Sequence, residues 1–319
     1  MAASAHVGRR VKAAIGAALA SLLLGTPAAA ATYYVTVGGL VGEPDYEQRF
    51  TSAAKELDKV LKASGSDVHV YTLTGGDATR SRLTAVVDEV AREAKPDDLF
   101  VLTLIGHGSY DSVEYKFNLV GPDMSAADLA VLCNKVAARR QLIVNATSSS
   151  GGSVAAFQRA GRAVISATKS GTEKNATVFV RYWVEALQDP SADVDKNESI
   201  SALEAFEYAD RKTADFYTSQ KRLATEHPVF EDTGKGEPVR GPAGSEGRLL
   251  ASLTLVRFGG SQRAALDPAK RELLAKKEDL ERQIDVLKYQ KAAMSESAYE
   301  QQLKALLLEL ARVQATLDK

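Results

Sequence analysis

Two short stretches of the chain carry side chains able to do acid, base or nucleophilic chemistry. One is Ile105-Gly106-His107-Gly108, at the end of the apolar run LFVLTLI. The other is Ala146-Thr147-Ser148-Ser149-Ser150-Gly151-Gly152, at the end of the run QLIVN. An imidazole beside a hydroxyl at a strand end is the arrangement of a general acid/base next to a nucleophile. The backbone N–H groups of Gly108 and Ser148 would face a developing oxyanion there, helped by the N-terminus of the following helix. Adjacent strands lie about 4.8 Å apart, so the two loops share one crevice if their strands are neighbours.

The pattern around these loops predicts the frame that must hold them. Strand-like runs at 32–37, 68–74, 99–105, 141–145 and 163–168 alternate with helical stretches at 46–63, 80–95, 126–137, 154–160 and 178–187. A hairpin around 115–120 interrupts the alternation. Such alternation predicts an α/β fold with a mostly parallel sheet and helices on both faces, and ligands then bind outside the carboxyl ends of the strands. After Gln188 the character changes. A polar segment at 189–199 leads to a long helix at 202–221, a stretch rich in Pro, Gly and charge at 227–247, and a last strand within 249–258.

In the order and content of its two motifs the chain resembles the caspase/legumain group of cysteine peptidases. Those enzymes carry His-Gly at the end of one strand and a Cys in a small-residue loop at the end of the next. His107-Gly108 matches the first motif and Ser150-Gly151 the close of the second, which puts the nucleophile position on Ser148. The resemblance covers roughly residues 32–217. It implies a three-layer α/β/α caspase-like domain over 31–260, a peptide or protein as ligand, and no required cofactor.

Serine at that position changes the chemistry. A thiol titrates near 8.5 and becomes a thiolate in a modestly favourable setting. A serine hydroxyl needs a base within hydrogen-bond reach, itself oriented by a third group. The group's His serves mainly to protonate the leaving group, as the resemblance implies. Asp111, Glu114 and Asp123 are the candidate orienting carboxylates. Two readings stay open: a degenerate peptidase that binds peptides or scaffolds, or an active endopeptidase-like hydrolase, of serine or cysteine type, using His107 and Ser148. Cys133, the single cysteine, shares a helical face with Leu129, Leu132 and Val136 and reads as core packing. One cysteine excludes an intrachain disulfide and cysteine-rich zinc sites. A G-x-S-x-G elbow is absent around the serine run.

A second constellation, Asp193-Val-Asp195-Lys-Asn197-Glu-Ser199-Ile-Ser-Ala-Leu-Glu204, has the spacing of an EF-hand loop and is the candidate calcium site. Its ligands would be Asp193, Asp195, Asn197, Ser199 and Glu204. Glu198 stands where a glycine normally makes the sharp turn, which requires a strained positive φ. The alternative is an acidic capping loop for the next helix. His227-Pro228 with Glu231-Asp232 is read as a surface turn rather than a metal cluster.

The remainder bounds partners and compartment. A formal net charge of −1 gives no electrostatic reason to expect nucleic acid. Arg9, Arg10 and Lys12, the apolar stretch 13–24 and the small residues Ala28-Ala29-Ala30 form a signal-peptide pattern over 1–30, too short to span a bilayer comfortably. The mature chain is expected to begin near Ala31 and to be periplasmic or secreted, without a membrane span; Arg9-Arg10 leaves both the general and the twin-arginine export routes open. In the last segment, 267–319, Leu273, Leu280 and Leu287 recur every seven residues, and Leu303, Leu306, Leu310, Val313 and Leu317 follow in steps of three and four. This predicts an antiparallel helical hairpin of coiled-coil type, turning at Ser295-Glu296-Ser297. It is a candidate for self-association, for docking to another envelope protein, or for packing back on the α/β body.

Overall fold

All seven residues of the run Leu99–Ile105 are buried, as a strand covered on both faces requires. The computed structural model describes residues 30–40, 44–65, 67–291 and 294–319; the expected leader, apart from Ala30, lies outside the described residues. The first half runs β1 (Thr32–Gly38), α1 (Pro44–Lys62), β2 (Val68–Leu73), α2 (Arg80–Glu93), β3 (Leu99–Ile105), β4 (Gly108–Tyr110), β5 (Tyr115–Phe117), β6 (Met124–Ser125), α3 (Ala126–Lys135) and β7 (Arg140–Asn145). The second half runs α4 (Val154–Phe157), β8 (Arg162–Ser166), α5 (Phe179–Ala186), β9 (Ser199–Ser201), α6 (Ala202–Ser219), β10 (Val229–Glu231), α7 (Arg248–Ala251), β11 (Thr254–Arg257), α8 (Gly259–Leu266), α9 (Arg271–Gln290) and α10 (Glu296–Leu317).

The main sheet has six strands in the order β10-β8-β7-β3-β1-β2, parallel except for β10. Alternating residues of each strand feed two cores. Val101 and Ile105 join Phe50 and Leu57 of α1, Trp183 of α5 and Phe206 of α6 on one face. Phe100, Leu102 and Leu104 join Leu83 and Val87 of α2, Leu129 and Cys133 of α3, and Phe157 of α4 on the other. This is the expected three-layer α/β arrangement. The strand order runs outward in opposite directions from β1 and β3, so a crevice opens at their carboxyl ends.

Two details depart from the sequence expectation. The segment 249–258 is not one strand. The carboxylate of Asp232 accepts the N–H groups of Gly247, Leu249 and Leu250, which turns 248–251 into helix α7. Only β11 remains extended, and it pairs with β9 in a separate two-stranded sheet. Glu231 and Asp232 are also buried rather than on a surface turn. Glu231 Oε1 accepts the N–H groups of Thr233, Gly234 and Gly236, while its buried Oε2 has no partner among the described residues, and its segment, β10, closes the main sheet.

The C-terminal helices form an antiparallel pair: Lys270, just before α9, reaches the Leu317 carbonyl, and Lys276 pairs with Glu309. Among the described residues no helix is long and apolar enough to cross a membrane.

Candidate functional site

His107, just after β3, packs against α1, which follows β1. The His107 ring meets two aromatic rings of α1 edge-on: Tyr46 at 5.1 Å between centroids and Phe50 at 5.3 Å. Its backbone is fixed from the other side, where Asn118 N–H donates to the His107 carbonyl. The expected hairpin supplies that contact: β4, β5 and β6 form a three-stranded meander directly after His107. The three carboxylates considered as orienting groups are spent elsewhere. Asp111 accepts the N–H groups of Val113 and Glu114, which lowers its pKa; Glu114 faces Lys116; Asp123 accepts Leu119 N–H.

β7 lies next to β3, so the serine loop and the His-Gly turn meet as the spacing argument required. They meet through Gly108 and Ser148. Gly108 N–H donates to Ser148 Oγ at 3.1 Å, and Ser148 Oγ–H donates back to the Gly108 carbonyl at 3.0 Å. The approach is close enough that only glycine fits. A Cβ at residue 108 would stand 2.5 Å from the Tyr115 ring and 2.7 Å from Thr147 Oγ1. Beneath the contact, Tyr115 OH, Thr147 Oγ1 and Asn145 Oδ1 form a buried polar network that continues from Asn145 Nδ2 to Ser153 Oγ. Burial pushes the Tyr115 phenol far above its ordinary range.

The rest of the serine loop is structural. Ser150 Oγ receives Thr168 N–H and Ser166 Oγ–H, and Gly151 N–H donates to Thr168 Oγ1, so the ends of β7 and β8 are laced together. Ser149 differs. It is fully buried with a left-handed φ of 57°, and its hydroxyl has no partner among the described residues. Its N–H donates to the carbonyl of Glu173, whose side chain bonds His227 Nδ1 at 2.5 Å and His227 N–H at 3.2 Å. His227 therefore belongs to the wall behind the serine loop. Neighbouring Glu226 is buried and accepts Val178 N–H, Phe179 N–H and Tyr217 OH, yet burial still pushes its pKa up to about 7.

Tyr46, Phe50 and Glu173 were not flagged as site residues by sequence reasoning, and His227 was read only as part of a surface turn. The aromatic pair, four residues apart on a helix that follows a strand, was the one local signal. Cys133 is buried in the α3 packing, and burial pushes its thiol up to about 12, far from reactive thiolate chemistry.

At the N-terminal end of α6, the acidic loop brings carboxylate oxygens of Asp193, Asp195 and Glu204 within 4.8 Å of one another. Ser199 N–H and Oγ–H both donate to Asn197 Oδ1, while Asn197 N–H donates to Asp193 and Asp195 and its Nδ2 to Asp195. Glu198 does take the positive φ of 65° that the loop demands. Its carboxylate compensates by accepting Ser261 N–H at 2.9 Å. Crowding and burial beside Glu204 push Asp195 up to about 6. Glu204 also caps its helix, accepting Ser201 N–H and Val194 N–H, so the capping role and the ligand role use the same carboxylate. A set of hard oxygen donors at this spacing fits calcium chemistry.

No family model and no curated protein matches the chain. Solved structures do. A protein from Geobacter sulfurreducens aligns at 12% identity and a TM-score of 0.48, covering 72% of this chain and 100% of that one. Caspase-1 from Spodoptera frugiperda aligns at 14% identity and a TM-score of 0.45, over 68% of this chain and 92% of its own. The Drosophila initiator caspase Dronc aligns at 14% identity and a TM-score of 0.39, over 74% and 94%. These are likenesses of fold.

Proposed function

We propose that the chain is an exported, caspase-like peptidase-fold protein whose His107–Ser148 cleft binds peptides without turning them over. The observation that carries this reading is the paired hydrogen bond between Gly108 and Ser148. A serine nucleophile must offer its proton to a base, and an oxyanion hole must keep its donors open. Here the hydroxyl proton goes to a backbone carbonyl, and the amide expected at the oxyanion is filled by the hydroxyl itself. The same loop ends lie at the carboxyl ends of neighbouring parallel strands, where ligands bind in sheets of this kind.

In this reading His107, held between Tyr46 and Phe50, orients a bound carbonyl or carboxylate rather than a leaving group. The acidic loop at Asp193, Asp195, Asn197, Ser199 and Glu204 holds calcium as a structural ion, remote from the cleft. The partners are a peptide or protein at the cleft, with no nucleic acid. The compartment is the periplasm or the exterior.

The test incubates the mature protein with a peptide library and with serine- and cysteine-directed probes. Binding without cleavage, and no labelling, supports the proposal. Cleavage or labelling that is lost in Ser148→Ala and His107→Ala establishes the hydrolase instead. Activity that appears only in Ser148→Cys marks a degenerate peptidase site.

A further inference from the structure

A carboxylate taken out of water normally keeps a cation beside it. Asp98, in the turn between α2 and β3, is 4% exposed. Among the described residues, no lysine, arginine or histidine nitrogen lies within the 4.0 Å of an ion pair. Its oxygens accept backbone N–H groups instead: Oδ1 from Ala31 at 2.8 Å and Oδ2 from Lys95 at 2.7 Å. Ala31 is also where the pattern Ala28-Ala29-Ala30 places the end of the leader.

We propose that removal of the leader makes the α-ammonium of Ala31 the missing counter-ion of Asp98. An endopeptidase adds water across the Ala30–Ala31 peptide bond. The acyl half departs as the carboxylate of Ala30, and the nitrogen stays on Ala31 and takes up a proton. That nitrogen already sits at hydrogen-bond distance from Oδ1, so a neutral donor becomes a charged one in place, which is a stronger bond. The flanking backbone fixes it: Leu99 N–H donates to the Ala31 carbonyl, and Thr32 N–H to the Asp67 carbonyl. Ala30 is exposed and Ala31 half-buried, so the new charge stays at the rim of the fold.

The ionisable groups around this corner are Tyr33 on β1, Asp67 before β2, Glu93 at the end of α2, Asp97 and Asp98 in the turn, Arg139 and Arg140 at the start of β7, Arg257 on β11, and Arg271, Glu278 and Arg282 on α9. Arg139 pairs with Asp97, Arg271 with Asp67, Arg257 with Glu278 and Arg282 with Asp279, so these cations are committed and the buried Asp98 is left without an ion pair among the described residues. An α-amine ordinarily titrates near 8. Beside Asp98 it holds its proton to higher pH, so its stabilisation is complete below about pH 8 and fades as pH rises through the folded value. The corner lies at the amino ends of the strands, opposite His107 and Ser148, so the inference stands apart from the reading of the cleft.

The test begins with N-terminal sequencing of the exported protein. Three chains are then melted: one beginning at Ala31, the same chain with its amine acetylated, and one beginning at Ala30. The native terminus should be Ala31. The free Ala31 form should melt roughly 2–4 °C above both others near pH 7 and lose that lead above about pH 10. NMR titration should place the Ala31 amine above its ordinary value and return it there in Asp98→Asn. A native terminus elsewhere, equal melting of the three chains, or an amine titrating at its ordinary value overturns the proposal. The acetylated and Ala30 chains keep every side chain, so they decide the matter even if Asp98→Asn fails to fold.

Discussion

Gly108 and Ser148 hold each other through both backbone polar groups of the glycine, with Gly108 N–H donating to Ser148 Oγ and Ser148 Oγ–H donating to the Gly108 carbonyl. The contact joins the loops after β3 and β7 and depends on residue 108 having no side chain. Gly108→Ala would place a methyl 2.5–2.7 Å from Tyr115, Thr147 and the Ser148 carbonyl. The neighbours are a ring inside a buried network and a strand-end backbone, so they cannot move cheaply. The expected loss is on the order of 3 kcal/mol. Ser148→Ala removes only the hydroxyl and leaves two backbone groups of Gly108 without it, for about 1–2 kcal/mol. Urea denaturation of both variants checks the order; an equal, small effect would mean the loops are not locked here.

Ser149 gives the opposite sign. Its φ of 57° and orphaned, buried hydroxyl are both costs that glycine avoids. Glycine also adds backbone entropy to the unfolded chain, which offsets part of the gain. Ser149→Gly is therefore expected to stabilise the fold by about 1 kcal/mol. Ser150→Ala, one residue on, should destabilise it, because Thr168 N–H loses its nearer acceptor and keeps only Ser166 Oγ at 3.4 Å. A lower denaturation midpoint for Ser149→Gly would show that the hydroxyl has a partner in solution.

Glu226 predicts a pH dependence. Its folded pKa is pushed up to about 7 by burial, above the ordinary carboxyl value near 4.3. The folded state then binds a proton that the unfolded state releases, so stability falls as pH rises between those values. Glu226 ties the start of α5 to Tyr217 of α6, and Glu173 and His227 lie beside it. Denaturation midpoints from pH 4 to pH 8 should show the fall in the natural protein. Glu226→Gln should flatten it; an unchanged slope would assign the fall to another group.

The outline of the fold was legible because its signals are local. An almost continuously apolar run marked β3, a helical-period stripe marked α1, and the His-Gly and Ser-Gly turns fell at strand ends. What stayed hidden depended on long-range pairing. Glu173 and His227 are 54 residues apart, and nothing in either neighbourhood announces the other. Glu231 and Asp232 were read as surface groups because carboxylates usually are; the N–H groups that make their burial tolerable come partly from the distant 247–250 segment. β10 has three residues, too few for a periodicity to register.

Calcium should act on stability rather than on the cleft. With a dissociation constant of about 10⁻⁴–10⁻³ M, as isolated sites of this kind have, about 10 mM calcium would stabilise the folded chain by roughly 1–3 kcal/mol. The gain should vanish in Asp195→Asn, which removes one of the three convergent carboxylates. Magnesium at the same concentration is the control, since it demands a tighter octahedral cage. Melting temperatures that ignore calcium would leave Glu204 with its capping role alone.

The last prediction concerns the C-terminal hairpin, whose contacts favour a brace over a free docking arm. Arg257 of β11 makes a two-point ion pair with Glu278 of α9, at 2.6 and 3.0 Å. Arg271 reaches Asp67 beside β2, and Lys277 is buried with its ammonium donating to the Asn197 carbonyl of the acidic loop. Leu274, Leu280, Val313 and Leu317 fill the space between the helices, and among the described residues Val286, Leu307 and Leu308 are the large apolar side chains exposed on the pair. Truncation after Ala265 would strand Arg257 without its carboxylate, at a cost on the order of 3 kcal/mol. For a chain of this size that corresponds to roughly 10 °C in melting temperature. Sedimentation of the full mature chain and the truncated one separates the roles. A brace predicts two monomers with the truncated form melting lower. A full-length dimer that becomes monomeric on truncation, with little change in melting, would instead assign the exposed leucines of α10 to a self-association surface.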